Sequence, residues 1–528
     1  MNFREAVGRG VRHEDTGLSV GFSNFLFVDQ HYGSNPILRR IFSQARQHDY
    51  QSVLIEEIAE QDCALLAEEN RALATRRADF KNAAAHRISF FRSARNKTPR
   101  PDDFLGYAIF KWDQFATESK PRARVFESVM QPFRRNDQNN FIHCARNYEV
   151  NTAVGRFSVR GVLYAKQNNL TFVCAHAALR SVLACVLPEG DISYSRMNAL
   201  VGIDHTARQV GPVGDKTLGL GPPDLERILN GLGVPYDRLI HEPSLTDPAT
   251  GKSLTLPTEY QRELYGFIES GYPAIMGFEL DPKPGDPGEP ARHAIPVFGH
   301  TFNEDAWLPN AQRAYFGGDE GYYPSENWLS NFVIHDDNFG PYLCLPRHFL
   351  RKNNFRIVYG LTPVPTPFRS TEAEAIGFNF CRAIASAYPK RHQGWYDRFA
   401  IFAKGDWLVL RTLLLRREDY LAKLATVSDR SGAQLEGELR QRLRELLPAH
   451  FWMVEASAPE LFATTRRKFG EILIAADKPG TPISSALLLA ARLPGFILVN
   501  PGTGLLDIRP SQLLGHTPLF TFPQTPLP

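Results

Sequence analysis

At 528 residues and 59.5 kDa the chain is too long for one ordinary hydrophobic core, so two or three domains are expected. With 43% hydrophobic and 22% charged residues it can bury a large core, which excludes a chain disordered throughout. A net charge of only +3, with the basic residues dispersed, argues against nucleic acid as the main partner.

The first residues, Met1-Asn2-Phe3-Arg4-Glu5-Ala6, lack the apolar core of a signal peptide. The longest apolar stretches, Val173 to Leu187 and Ser485 to Val499, are broken by Arg180 and by Arg492 with Pro494, so no membrane span is expected. Cys63, Cys144, Cys174, Cys185, Cys344 and Cys381 are scattered, with no CxxC pair and no zinc-spaced His/Cys cluster. A reduced, cytoplasmic protein with no metal and no cofactor is the expectation.

Three regions follow one another, with edges near residues 150 and 365. In the first, Gln51 to about Arg95 is rich in Ala, Glu and Arg and reads as helical, with Leu54, Ile55, Ile58, Ala59, Leu65 and Leu66 near helical spacing. It is expected to be a solvated or domain-bridging helix, ended by Asn96-Lys-Thr-Pro-Arg-Pro101. Strands are expected over Leu105 to Phe110, Arg124 to Met130 and Phe157 to Ala165.

In the middle region a buried helix begins at Cys174, and further helices are expected over Pro222 to Leu232 and Tyr260 to Ser270. Strands follow at Ala274 to Phe278, His293 to Phe298 and Asn331 to His335, and Asp281 to Pro290 is a turn-rich connector. Pro363-Val-Pro-Thr-Pro-Phe368 leads into a third region of mixed pattern. There Thr371 to Ala387 and Ala433 to Leu447 read as helices, and Trp407 to Leu415 and Phe496 to Asn500 as strands, with Trp407 and Trp452 in the core. The whole is expected to be α+β.

The chemistry concentrates in the middle. A loop, Gln167-Asn-Asn-Leu-Thr-Phe-Val173, leads to Cys174 on a helix's first turn, where the dipole's positive end and unpaired amides favour thiolate. The Cys174 amide and an amide side chain just upstream are candidate oxyanion donors. His293 opens an apolar strand after the flexible loop, a setting that presents a general base at a cleft edge. Another apolar strand ends in Asp336-Asp337; on a neighbouring strand, one of these carboxylates could orient the imidazole.

The other candidates read as structural. His176, two residues past Cys174, should point away from it. His300 and His335 could pair with nearby acids, but His293, His300 and Asp336 lack the compact spacing of a metal site. The remaining five cysteines read as packing residues.

Taken in order, Gln167, Cys174-x-x-Ala-Ala-Leu179, Gly219-Leu-Gly-Pro-Pro-Asp-Leu225, Gly271-Tyr-Pro-Ala-Ile275, His293-Ala-Ile-Pro-Val-Phe-Gly-His300 and Ile334-His-Asp-Asp-x-x-Gly-Pro-Tyr342 resemble the papain-fold cysteine peptidases. The likeness is greatest to the bacteriocin-leader (double-glycine) peptidases, and it covers about 200 residues. It implies a papain-like domain over 151–365, flanked by an N-terminal α/β region (1–150) and a C-terminal mixed α/β region (366–528). It further implies Cys174, His293 and Asp336 as triad and Gln167 as oxyanion donor. Gln167 stands seven residues before Cys174 rather than the family's six, a spacing that Asn168 has; Ala175 replaces the family's usual Gly, and Asp337 its usual Pro.

The implied activity is hydrolysis of a specific protein or peptide substrate through a thioester, as a peptidase or isopeptidase. The alternatives are an acyl or amide transferase using the same triad, and a papain-fold binding or regulatory protein without turnover.

Overall fold

The computed structural model describes residues 2–15, 23–133, 140–168, 170, 173–202, 220–241, 260–280, 291–302, 321–347, 349, 355–387, 395–479, 485–502 and 506–522. The expected connector Asp281 to Pro290 lies outside them. The chain is α+β and divides into two compact units. The first comprises Met1–Thr255, Pro273–Thr301 and Phe332–Leu361; the second comprises Leu256–Tyr272, Phe302–Asn331 and Thr362–Pro528. The first and middle regions of the sequence thus share one unit for the most part. At Thr362, beside the Pro-rich stretch, the chain passes into the other unit.

Among the described residues the first unit holds two large sheets and a separate two-stranded one. One is antiparallel and built from β1 (Arg9–Asp15), β2 (Ser52–Ile58), β3 (Phe80–Phe91), β4 (Phe104–Phe115), β5 (Arg122–Met130) and the short β9 (Tyr164–Ala165), in that order. Its middle strands are apolar on both faces, because both are covered. Along β4, Ala108 and Phe110 pack with Leu38, Ile41 and Phe42 of helix α2 (Pro36–Gln47), which follows α1 (Ser23–Tyr32). Tyr107 and Ile109, alternating with them, face Leu179, Val182 and Leu183 of the helix that begins at Cys174.

The segment from Gln51 to Arg95 is therefore not one helix. It is β2, a helix α3 (Ala64–Arg76), and β3. Val53, Ile55 and Ile58 are branched at Cβ and stiff at χ1, which favours a strand. Pairing of β2 with both β1 and β3 buries nearly every residue, so the 3.6-residue reading of the same apolar positions misled. The strands expected at Leu105, Arg124 and Phe157 are all present, the last as β8 (Gly155–Gly161), paired with β7 (Arg146–Thr152), and then β9.

The second sheet of this unit runs β10 (Asp237–His241), β16 (Arg356–Gly360), β11 (Ala274–Leu280), β12 (Ala291–Phe302), β14 (Leu329–Asp336) and β15 (Gly340–Pro346), with β6 (Asn140–Phe141) pairing β12. Helix α4 (Cys174–Val186) is buried along nearly its whole length; Ile275, Ile357 and Tyr359 of this sheet share its core. Two shorter helices, α5 (Tyr194–Val201) and α6 (Pro222–Gly231), close that core with Met197, Leu225, Ile228 and Leu229.

Inside the first unit, Arg180 of α4 is fully buried. Its guanidinium meets Glu127 of β5 at 2.5 Å and Asp191 at 2.9 Å, and Tyr107 donates to the other Glu127 oxygen at 2.8 Å. The residue that interrupts an apolar run in the sequence is thus the polar anchor of the helix. At the other end Arg146 donates to the carbonyls of Ala184 and Leu187, filling acceptors that the last turn leaves open.

The second unit carries α7 (Tyr260–Glu269) and a sheet ordered β13 (Tyr323–Pro324), β17 (Val409–Arg416), β18 (His450–Ser457), β20 (Gly470–Ala475), β21 (Leu488–Leu493), β22 (Phe496–Val499) and β23 (Asp507–Pro510). A further pair, β19 (Arg467–Lys468) and β24 (Thr517–Pro518), stands apart from it. Leu410, Leu414, Trp452 and Val454 pack with α8 (Ser370–Ala387) and α9 (Trp395–Lys404). The alternate residues Leu413, Leu415, Phe451 and Met453 pack with α10 (Arg417–Leu424) and α11 (Gly437–Leu446). Trp452 is in the core as expected, whereas Trp407 precedes β17 and is exposed.

Removing one partner of a buried ion pair leaves the other desolvated and uncompensated, at a cost of about 3–5 kcal/mol. Arg180→Met is accordingly expected to destabilise the chain by about that amount in denaturant titration, with the Glu127→Gln, Arg180→Met double variant recovering part of the loss.

Candidate functional site

Helix α4 begins at Cys174 itself. Val173 before it is extended (φ −120°, ψ 178°), and its carbonyl takes the N–H groups of His176 and Ala177 at 3.0 and 3.2 Å. The Val173 N–H donates to His176 Nδ1 at 3.3 Å, and His176 Nε2 bonds Asn198 at 2.8 Å. His176 is therefore a buried fixture of the helix start and turns away from the thiol's chemistry. Cys174, half-buried, stands at the positive end of the helix dipole with small Ala175, Ala177 and Ala178 behind it.

Strands β12 and β14 are neighbours, and they bring His293 to the end of β14. Nε2 of His293 lies 3.2 Å from Asp336 Oδ2 and 3.5 Å from Asp337 Oδ1. On the partner strand Phe278 pairs with His293, its ring edge-on at 5.8 Å between centroids. The Cys174 thiol is close enough to the same imidazole to favour its cation. The structure thus brings Cys174, His293 and Asp336 together in one place.

The hairpin that carries the acid is held from behind. Gly340 (φ +113°) turns the chain in a conformation that L side chains rarely adopt. Arg40 of α2 then donates to the carbonyls of Pro341 and Tyr342 at 2.7 and 2.6 Å. The Tyr342 hydroxyl donates to the Met130 carbonyl and accepts from the Val162 N–H, both at 2.9 Å. The Gly-Pro-Tyr run after the two acids is therefore a strut between the two large sheets of the unit.

Burial is the strongest influence on His293 and works against its cation. The hydrogen bonds to Asp336 and Cys174 and the charges of both outweigh it, and the imidazole is carried up to about 10. Burial also opposes ionisation of Asp336, but the His293 bond and the N–H groups of Asn338 and Phe339 keep its carboxyl below the ordinary range. Asp337 has weaker support: burial pushes it up to about 6 against the charges of His293 and Lys166, and its Oδ2 is buried without a hydrogen bond. The two adjacent carboxylates are not equivalent.

Ligand-type atoms of His293, Asp336 and Asp337 lie within 4.8 Å of one another, close enough for one small cation. His300 is not among them; it is buried and stacks on Phe141 at 5.0 Å. His335, beside the acids, is boxed by Tyr164, Phe298 and Tyr342 and donates from Nδ1 to the Leu163 carbonyl at 3.2 Å. Burial holds its cation off, down to about 3, so it is a neutral core residue.

The upstream amides divide as well. Asn168 is buried and donates to Glu69 Oε1 at 3.0 Å, while its own oxygen accepts from the Leu170 N–H at 2.9 Å. Gln167 is half-buried, and among the described residues no hydrogen bond engages its carboxamide. Cys63 and Cys381 are buried with thiols pushed up to about 12 by burial, and Cys144 is buried with its thiol raised too. Cys344 departs from the packing expectation and is exposed on β15.

Sequence reading passed over Glu69, Lys111, Asp113, Arg124 and Lys166, which join the site to the first sheet. Their signal was charge inside apolar strands, as in Ile109-Phe-Lys-Trp-Asp113 and Arg124-Val-Phe126, since such residues are buried only when paired. No family model matches the chain, and no curated protein is found similar to it.

The neutral form of Asp337 is favoured by folding, so the stability it contributes is complete below its ordinary value of 3.8 and lost as pH rises through about 6. Asp337→Asn is therefore expected to be more stable than the wild type at pH 7.5, on the order of 3 kcal/mol. The gain should shrink to nothing as pH is lowered from 6 to 4, read from thermal unfolding across that range.

Proposed function

We propose that the chain is a cysteine-nucleophile hydrolase of papain-like arrangement. Cys174 attacks an amide or ester carbonyl, and His293 and Asp336 complete the triad. The observation that carries this reading is the 3.2 Å contact between His293 Nε2 and Asp336 at the end of β14, with Cys174 near the same imidazole at the start of α4.

With Nε2 given to the carboxylates, Nδ1 is the nitrogen left for the thiol. A cationic imidazole beside Cys174 stabilises the thiolate, the attacking species. As the tetrahedral intermediate collapses, the imidazolium gives its proton to the leaving nitrogen or oxygen, and a thioester remains on Sγ. Neutral imidazole then removes a proton from water as the water attacks that thioester, releasing the acid and restoring the pair. Asp336 holds the ring's orientation and offsets its positive charge.

The Cys174 amide, at the first position of a helix where the N–H has no preceding turn to donate to, is one donor to the oxyanion, and the Gln167 carboxamide is the other. The unspent state of Gln167 and the commitment of Asn168 to Glu69 support Gln167 over Asn168 for that role, despite the sequence spacing. The proposed substrate is a protein or peptide.

At pH 7, iodoacetamide is expected to label Cys174 at least about tenfold faster in the wild type than in His293→Ala, as followed by mass spectrometry of the native protein. The His293 cation stabilises the folded chain fully below about pH 6.5 and loses that effect as pH rises through about 10, so the imidazolium-dependent difference in labelling should fade over the same upper range. Equal rates in the two proteins at pH 7 would reject the nucleophile assignment.

A further inference from the structure

The loop that carries Gln167 is fixed on both sides of that residue. Before it, β9 pairs with β5, and the Lys166 N–H donates to the Phe126 carbonyl at 3.1 Å. The Lys166 ammonium reaches the Asp337 carbonyl at 2.7 Å, directly after the acid of the triad. Beyond it, Asn168 is bound to Glu69 of α3.

Glu69 is itself gripped. Lys111 Nζ of β4 lies 2.8 Å from its Oε2, and Arg124 of β5 contacts its Oε1. Asp113 closes the group, 2.6 Å from Lys111 and 3.2 Å from Arg124. All four side chains are nearly without exposure, and their formal charges cancel. Such a group gains little over a packed apolar core of the same volume. What it supplies here is a fixed, ionised acceptor for one carboxamide, and a charged acceptor makes a shorter, stronger and more directional hydrogen bond than a neutral one.

We infer that Glu69, Asn168 and Lys166 are positioning residues that hold the Gln167 carboxamide where it donates to the oxyanion formed at Cys174. This rests on the reading of Cys174 as nucleophile and Gln167 as donor. It makes the N-terminal sheet part of the catalytic apparatus: α3, β4 and β5 supply no group that touches substrate, yet they set the geometry of one that does. Preorganisation of this kind matters because a donor that needs no rearrangement at the moment of reaction stabilises developing charge most.

Two probes of the full-length chain separate this role from a merely structural one. Iodoacetamide alkylates Cys174 by displacement at carbon: the S–C bond forms, iodide leaves, and no oxyanion arises. p-Nitrophenyl acetate acylates it through one: Sγ adds to the carbonyl, the tetrahedral oxyanion collapses with loss of p-nitrophenolate, and water later cleaves the thioester to acetate. Gln167→Ala and Asn168→Ala are each expected to slow the p-nitrophenolate burst by about 10²-fold. Lys166→Met should slow it by about tenfold. In all three, alkylation of Cys174 should stay within about twofold of the wild type.

A burst at the wild-type rate in both Asn168→Ala and Lys166→Met, with Gln167→Ala slow, would overturn the positioning role while leaving the donor intact. A wild-type burst in Gln167→Ala would overturn it together with the donor assignment. Alkylation of the wild type no faster than that of His293→Ala would show instead that the nucleophile reading had failed, and the inference with it. If Asn168→Ala also loses fast alkylation and so fails to fold, Lys166→Met, which leaves the four-charge group untouched, decides alone.

Discussion

Charge inside this protein is paired charge, and the site depends on that constraint. An ion taken out of water costs several kcal/mol unless a partner and hydrogen bonds meet it. Arg180 can lie in the middle of α4 only because Glu127 and Asp191 receive it. That pairing ties α4 to β5 in one rotation of the helix about its axis. Once the rotation is set, Cys174 at the helix's first residue points to one place.

The imidazole of His293 reaches that place by a different rule. Neighbouring strands β12 and β14 bring His293 and Asp336 together through backbone pairing, which is rigid over short spans. The hairpin after Asp336 would be free to swing, but Arg40 takes two of its carbonyls and Tyr342 is bonded at its hydroxyl to the first sheet's end. Three elements distant in sequence thus converge on one imidazole, each held by polar contacts that only a single arrangement satisfies. The apolar core gives the unit its stability, and these contacts give it its uniqueness.

Much of this was legible in the sequence because periodicity and punctuation agreed. Helix α4 starts at the residue expected, and the strands bearing His293 and Asp336 fall where apolar runs follow turn-forming residues. The segment from Gln51 to Arg95 failed for a physical reason: β2 is buried on both faces, so it lacks the alternation that distinguishes a strand, and a helical stripe can be drawn through any dense apolar run. The ion group around Glu69 was only half legible for another: charge inside apolar strands marks its members as paired but does not say with what. Its members come from α3, β4 and β5, and nothing local shows that Lys111 and Glu69 face each other until the sheet is assembled. The exposed Trp407 marks the same limit, since composition gives burial as a tendency and topology decides the case.

The neighbouring acids show how much environment adds to residue type. Asp336 and Asp337 are the same side chain one position apart, and a sequence offers little to choose between them. In the fold, Asp336 receives His293 and the N–H of Asn338, so its charge is favoured despite burial. Asp337 lies slightly farther from the imidazole, keeps one oxygen without a donor, and feels the charge of its neighbour. Two like charges this close cannot both be cheap to ionise, and the one with more donors keeps its charge first. A carboxylate that must orient an imidazolium has to be ionised throughout the working range, so the donors on Asp336, rather than its place in the chain, are what suit it to the proposed triad.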